Sequence, residues 1–429
     1  MSLKISAVKG YEILDSRGNP TVMATVTLND GSVGQGFVPS GASTGASEAV
    51  ELRDGNLDRY LGKGVTKAIR HLEKDIAPII KGRDPFDQEQ LDADMIEADA
   101  TVNKSEFGAN AMLAASLAIA DAAAKSAHIP MYEYLGGHDI SLPVPMLNII
   151  NGGAHANNNI DIQEFMIVPA GFASFSEAFR ASVEIYHHLK AMLSEKGHMT
   201  SVGDEGGFAP NLKNHTEALN YIMKALEKAG YRPGEQVWIA LDVAASEIYK
   251  EGHYHLASAK SPMDSDGLIA MYEKIIKKFP VISIEDGLAE NDWDGWRVLQ
   301  EALGKKIQLV GDDIFVTNMG LLNRAIKEKS ANAILIKPNQ IGTLTETLSC
   351  IGVAKRHGWN AVISHRSGET ESSFIADLAV GTMAGQIKSG APCRSDRVAK
   401  YNQLLLIEQQ LGKKAPFVGK KVFDQWLTS

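Results

Sequence analysis

The feature that most constrains this chain is a series of short apolar runs, each closed by charge and followed by helical sequence. VWIAL ends in Asp242, VISI in Glu285, and IQLVG in Asp312 followed by Asp313. AILI then ends in Lys337, AVIS in His365, Arg366 and Ser367, and a last short run in Lys388. From Asp242 the successive closing residues lie 43, 27, 25, 28 and 23 residues apart, so most steps have the length of one strand-plus-helix unit. Counting two earlier runs, eight strands are predicted: 143–149, 163–168, 237–242, 281–285, 307–312, 333–337, 360–364 and 386–388. Helical patterns at 266–279, 294–305, 319–330, 344–357 and 371–384 fill most of the gaps. Eight strands with helices between them argue for a closed barrel. A doubly wound open sheet is the alternative, but no G-x-G-x-x-G follows an early strand.

The first two of these strands break the alternation. Only NGGAHANNNID separates them, too short and too rich in Gly and Asn for a crossover helix. Parallel neighbours need such a crossover, so the second strand is predicted antiparallel to the first. It then runs downward, and Gln163 and Glu164 begin it at the top of the barrel. Two helices follow, near 175–195 and 214–230. If one climbs and the other descends, the loop between them, SVGDEGGFAPN, also reaches the top, where barrel active sites lie.

Before the barrel, 3–13, 21–28 and a strand near 34–38 precede helices that begin at about 65 and end with 108–127. This order predicts a compact α+β domain over 1–135, followed by an irregular ββααβα-type barrel over 140–429. At 44% hydrophobic residues the 429-residue chain can bury two cores. Its formal charge of −9 gives no basic footprint, so direct nucleic-acid binding is not expected. Two cysteines cannot build a disulfide framework, which fits a reducing cytoplasm. No signal-peptide h-region opens the sequence, and no run of eighteen apolar residues predicts a membrane span.

Single acidic residues at strand ends are common because strand ends meet solvent. Three successive carboxylates followed by Lys, His-Arg-Ser and Lys are harder to dismiss. Carboxylates gathered at one mouth repel each other unless a cation lies between them. Oxygen donors without Cys or His point to Mg²⁺ or Mn²⁺ rather than zinc. Arg366 and Ser367 precede a predicted helix, where free N–H groups favour phosphate, and Lys388 adds a second positive charge.

These residues lie within a longer set of segments. LDSRGNPTV, VPSGASTG, ELRDG, YLGKGV, NGGAHANNN, IQEFMI, GDEGGFAPN, LDVAASE, SIEDGLAENDWDGW, GDDIFVTN, NQIGTL, SHRSGETE and AKYNQLL follow one another along the chain. In that order they resemble the enolase family over nearly the whole length. The resemblance implies a Mg²⁺-dependent dehydration of 2-phosphoglycerate to phosphoenolpyruvate, with two Mg²⁺ per site. It implies that Asp242, Glu285 and Asp312 hold the tighter ion and that Ser43 ligates the second. Lys337 is then the base for the C2 proton and Glu205 the acid for the C3 hydroxyl. Gln163 and Glu164 support that acid, while His155, Arg366, Ser367 and Lys388 bind phosphate or carboxylate. A homodimer or higher oligomer is implied, as is a cytoplasmic location with a secreted or cell-surface pool besides. Loops 40–46, 151–159 and 250–265 are predicted lids. Two other readings are a different dehydratase of the same superfamily and a non-catalytic surface-binding role. The Glu205 loop and SHRSGETE argue against the first, and the intact Glu205–Lys337 pair against the second. Pro338 departs from the family pattern, as do Met23-Ala24 and Ser372-Ser373. Because a strand residue is already extended, Pro338 is expected to be tolerated after Lys337.

Overall fold

The computed structural model describes residues 2–42 and 44–427. The expectation for Ser43 therefore lies outside the described residues. Strands β1 (Ile5–Leu14), β2 (Pro20–Leu28) and β3 (Val33–Phe37) form an antiparallel meander in that order. Asp15 shapes the first turn: its Oδ1 accepts from the N–H groups of Arg17 at 2.9 Å and Asn19 at 2.8 Å. The Ala-rich helix Ala109–Ser126 packs across this sheet with nearly every residue buried. Small residues let the two backbones meet. A Cβ at Gly34 would lie 2.2 Å from the Ala118 carbonyl oxygen, and one at Gly36 2.1 Å from that of Ala114.

The second part is a closed barrel of β4 (Val144–Asn151), β5 (Glu164–Val168), β6 (Trp238–Asp242), β9 (Val281–Glu285), β10 (Gln308–Gly311), β11 (Ala333–Ile336), β12 (Asn360–Ser364) and β13 (Gly385–Lys388). A small hairpin, β7 (Tyr249–Lys250) with β8 (His253–Tyr254), stands apart from it. Strand β5 is antiparallel to both β4 and β6, and the remaining barrel pairs are parallel. Alternate residues point inward. Val144, Met146, Met166, Val168, Trp238 and Ala240 form one cluster with Phe423 and Trp426, so the C-terminal segment plugs the bottom of the barrel. The register levels the opposite rim: Glu164 pairs with Asp242, Asp242 with Glu285, and Ser364 with Lys388.

One local expectation is corrected. The helix predicted over 371–384 is Phe374–Gly381. Hydroxyl groups take the preceding N–H groups, Ser372 N donating to Thr370 Oγ1 and Phe374 N to Ser372 Oγ, both at 3.3 Å. The 250–265 segment carries structure of its own. It contains the hairpin, its Tyr254 and Met263 exchange backbone hydrogen bonds, and the Ala257 N–H donates to Asp161 at 2.7 Å. Among the described residues no helix is long and apolar enough to cross a membrane.

Asp377 in the Phe374–Gly381 helix is buried, and burial pushes its carboxyl up to about 6, with Gln403 opposing. Its ordinary value is 3.8, so folding takes up a proton between about pH 4 and 6. Stability from this group is therefore present at low pH and lost as pH rises through 6. Asp377→Asn is expected to stabilise the protein at pH 7.5 by up to about 2–3 kcal/mol, and to gain nothing at pH 4. Denaturant unfolding at the two pH values checks this.

Candidate active site

Glycines set the shape of the 203–207 acid loop. Gly206 has φ +84°, which favours glycine. A Cβ at Gly207 would lie 2.1 Å from Asn151 Oδ1, and one at Gly203 2.5 Å from the His155 carbonyl. The GDEGG run is thus pressed against β4 and the loop that follows it, which drives Glu205 into the barrel mouth. There Asn148 Nδ2 donates to Glu205 Oε2 at 3.0 Å. His155 Nδ1 lies 3.5 Å from Glu205 Oε1 and 3.7 Å from Glu164 Oε1. His365 Nε2 lies 3.3 Å from Glu205 Oε1.

The two carboxyls of this corner behave oppositely. Burial, then the nearby Glu205 charge, pushes Glu164 well above the carboxylate range. Burial also pushes Glu205 up, but His155 and His365 outweigh it and hold it well below that range.

Across the mouth, Lys337 ends β11 in an extended conformation, φ −123° and ψ 102°, and its N–H donates to Thr317 Oγ1 at 2.9 Å. Pro338 opens a short helix, Pro338–Ile341, at the position where its missing N–H costs nothing. Lys337 Nζ is 2.5 Å from Asp312 Oδ2. Burial disfavours the ammonium form, but Asp312 outweighs burial and raises the Lys337 pKa.

Lys388 stands among three carboxylates: Glu285 Oε1 at 2.7 Å, Glu164 Oε1 at 3.2 Å and Asp242 Oδ2 at 3.3 Å. Among the described residues, two sets of possible metal ligands have their donor atoms within 4.8 Å of one another: His155, Glu164 and Glu205, and Asp286, Asp312 and Asp313. Asp242 and Glu285 share the Lys388 ammonium, and Asp312 pairs with Lys337. Asp286 was missed in the sequence. It accepts the N–H groups of Asp312 at 2.8 Å and Asp313 at 3.0 Å and so shapes the turn after β10.

The anion side also differs in detail. No helix starts directly after Ser367, and the Arg366 N–H donates to Glu369 Oε1 at 3.1 Å. The charge offered to an anion is therefore the Arg366 guanidinium. Glu48, also missed, takes that guanidinium on both oxygens, at 3.0 and 3.1 Å. A backbone pair between Ser40 and Gly368 holds the 40–47 loop to the same corner.

His155, Gln163, Glu164, Glu205, Asp242, Asp312, Lys337, Arg366, Ser367 and Lys388 all line one cavity, with His365, Asp286 and Asp313 beside them. Glu285 joins the cluster through Lys388.

The family models described as "Enolase, N-terminal domain" and "Enolase, C-terminal TIM barrel domain" match residues 5–135 and 139–426. The chain belongs to the enolase family. It is 55% identical over 423 residues to the enolase of Helicobacter hepaticus, covering 98% of this chain and 99% of that relative. As an enolase-family member it is a hydro-lyase whose reaction uses a divalent metal. The donor set suits such an ion. Buried Glu285 Oε2 and Glu164 Oε2 have no hydrogen-bond partner. Burial and the Asp242 charge push Glu285 well above the carboxylate range, and burial with Asp312 pushes Asp313 up to about 8. A crowd of carboxylates held partly protonated for want of positive charge is what a hard cation relieves.

Proposed function

We propose that this mouth interconverts 2-phosphoglycerate and phosphoenolpyruvate, with Lys337 as base at C2 and Glu205 as acid at the C3 hydroxyl. The observation that carries the reading is that Lys337 and Glu205 line one cavity from different elements, β11 and the 203–207 loop, with carboxylates between them. Base and acid so separated can flank a small substrate.

In this reading Asp242, Glu285 and Asp312 hold one Mg²⁺, and Ser43 contributes to a second. When bound, the ions stabilise the negative charge that builds on the substrate carboxylate as the C2 proton leaves. The residues do the remainder. Asp312 holds Lys337 in its ammonium form; once that carboxylate serves a cation, burial, Arg366 and Lys388 all favour the neutral amine that a base requires. Glu164, close to Glu205, raises the pKa of the pair and helps it keep a proton for the leaving hydroxyl. A polyanionic substrate raises both carboxyls, and His155, 3.5 and 3.7 Å from the two, lies between them as the proton settles on Glu205. Arg366, Ser367 and His155 bind phosphate or carboxylate, Lys388 adds positive charge, and Gln163 and Glu164 orient the hydroxyl end. The reading includes a homodimer or larger assembly. It also includes a cytoplasmic location, in keeping with the free thiols Cys350 and Cys393.

Absorbance growth from 2-phosphoglycerate in the presence of Mg²⁺ tests the reaction. The purified protein is expected to form phosphoenolpyruvate, to lose all turnover on chelation and to regain it when Mg²⁺ is restored. Absence of turnover in the metal-replete protein, or full turnover after chelation, rejects the proposal.

A further inference from the structure

Arg397 lies on the helix Ser395–Leu411 and is fully buried behind the mouth. Its NH1 reaches His365 Nδ1 and the Arg366 carbonyl, each at 2.5 Å. Its NH2 donates to the Ser367 carbonyl at 2.6 Å and the Asp204 carbonyl at 3.1 Å. One side chain from the C-terminal helix thus joins the acid loop to the anion loop.

A guanidinium only donates hydrogen bonds and keeps its proton in a folded protein. The His365 Nδ1 that faces it must therefore be the acceptor. A neutral imidazole carries one N–H, which leaves the proton on Nε2. Nε2 is buried, makes no hydrogen bond of its own, and lies 3.3 Å from Glu205 Oε1. The opposite tautomer would set N–H against N–H at Arg397 and turn a lone pair toward a carboxylate. Burial also pushes the His365 ring down to about 4, with Glu205 opposing, so the ring is neutral at neutral pH.

We propose that Arg397 is a positioning residue that fixes His365 as its Nε2–H tautomer, so that His365 donates to Glu205 and holds that carboxyl toward the reacting hydroxyl. The proposal deepens the role given to Glu205 above and rests on it. A purely structural clamp would tie the same loops together without choosing a tautomer, so the tautomer is the deciding readout.

Long-range ¹H–¹⁵N correlation of ¹⁵N-histidine-labelled protein reports which ring nitrogen carries the proton, and a His365→Asn spectrum assigns the signal. The parent is expected to show His365 protonated at Nε2. Arg397→Met is expected to move His365 toward the Nδ1–H form. It is also expected to lower kcat on the order of ten- to hundredfold with KM little changed, the usual cost of an outer-shell partner. A parent ring protonated at Nδ1 overturns the proposal. So does an Arg397→Met protein that keeps the Nε2–H form or keeps its kcat. If Arg397→Met does not fold by circular dichroism, the parent spectrum and Arg397→Lys decide. Arg397→Lys keeps the charge but loses the fork, and its kcat is expected to fall with its Nε2–H fraction; if the two do not fall together, the proposal is wrong. A parent without enolase turnover would remove the reading of Glu205, while the tautomer measurement would still stand by itself.

Discussion

Lys337→Ala is expected to lower kcat by about 10³- to 10⁴-fold, the upper part of the range for a positioned general base. The size follows from the lack of a substitute. The other ammonium in the mouth, Lys388, is held by Glu285, Glu164 and Asp242 at 2.7 to 3.3 Å and cannot swing to the Lys337 position without baring three buried carboxylates. The His365 ring faces Arg397 and Glu205 on the acid side. Truncation also removes the counter-ion 2.5 Å from Asp312, so the divalent cation is expected to bind as well as before or better. Titration of the metal beside steady-state kinetics checks both halves. A large loss of kcat accompanied by an equal loss of metal affinity would count against the base assignment.

Lys388→Met is expected to cost about 3–5 kcal/mol of stability when no divalent cation is present, the range for leaving buried charge without its partner. Lys388 is 2% exposed, and burial lowers its pKa while Glu164 outweighs burial and raises it far above the ordinary value. Without it, Glu164, Asp242 and Glu285 face one another with no positive charge among them. Glu164 and Glu285 already lie well above the carboxylate range and rise further without Lys388, so stability falls as pH rises through those values and recovers in acid. Millimolar Mg²⁺ is expected to restore part of the loss at neutral pH. Denaturant unfolding with and without Mg²⁺ measures the effect, and equal stability of parent and variant in chelator would contradict it.

Much of this architecture was legible because backbone geometry leaves few choices. The eleven residues NGGAHANNNID could not hold a crossover helix, and β5 is antiparallel to β4 for that reason. The charged ends of 237–242, 281–285, 307–312 and 333–337 meet at one rim because parallel strands in register bring equivalent positions level. What could not be read was which partner each charge takes. Lys388 reads as an anion binder at a strand end, yet its ammonium rests among carboxylates that lie more than a hundred residues away in sequence. Arg397 sits in an ordinary-looking helical stretch, and nothing local marks it as the residue that meets His365. Glu48 follows the Gly/Ser-rich loop without a motif of its own, and Arg366 reaches it only through the fold. Asp286 was adjacent to a flagged residue, but its value as a cap for the 312–313 turn depends on the neighbouring strand.

The central claim is that one mouth sets a base at Lys337 against an acid at Glu205, so the two halves of the reaction separate by residue. Loss of deuterium from C2 of labelled 2-phosphoglycerate, followed by NMR in Glu205→Gln and in Lys337→Ala, measures this directly. The account predicts that Glu205→Gln still exchanges the C2 label while forming almost no phosphoenolpyruvate, and that Lys337→Ala does neither. Exchange that persists in Lys337→Ala, or that vanishes in a folded, metal-binding Glu205→Gln, would contradict it.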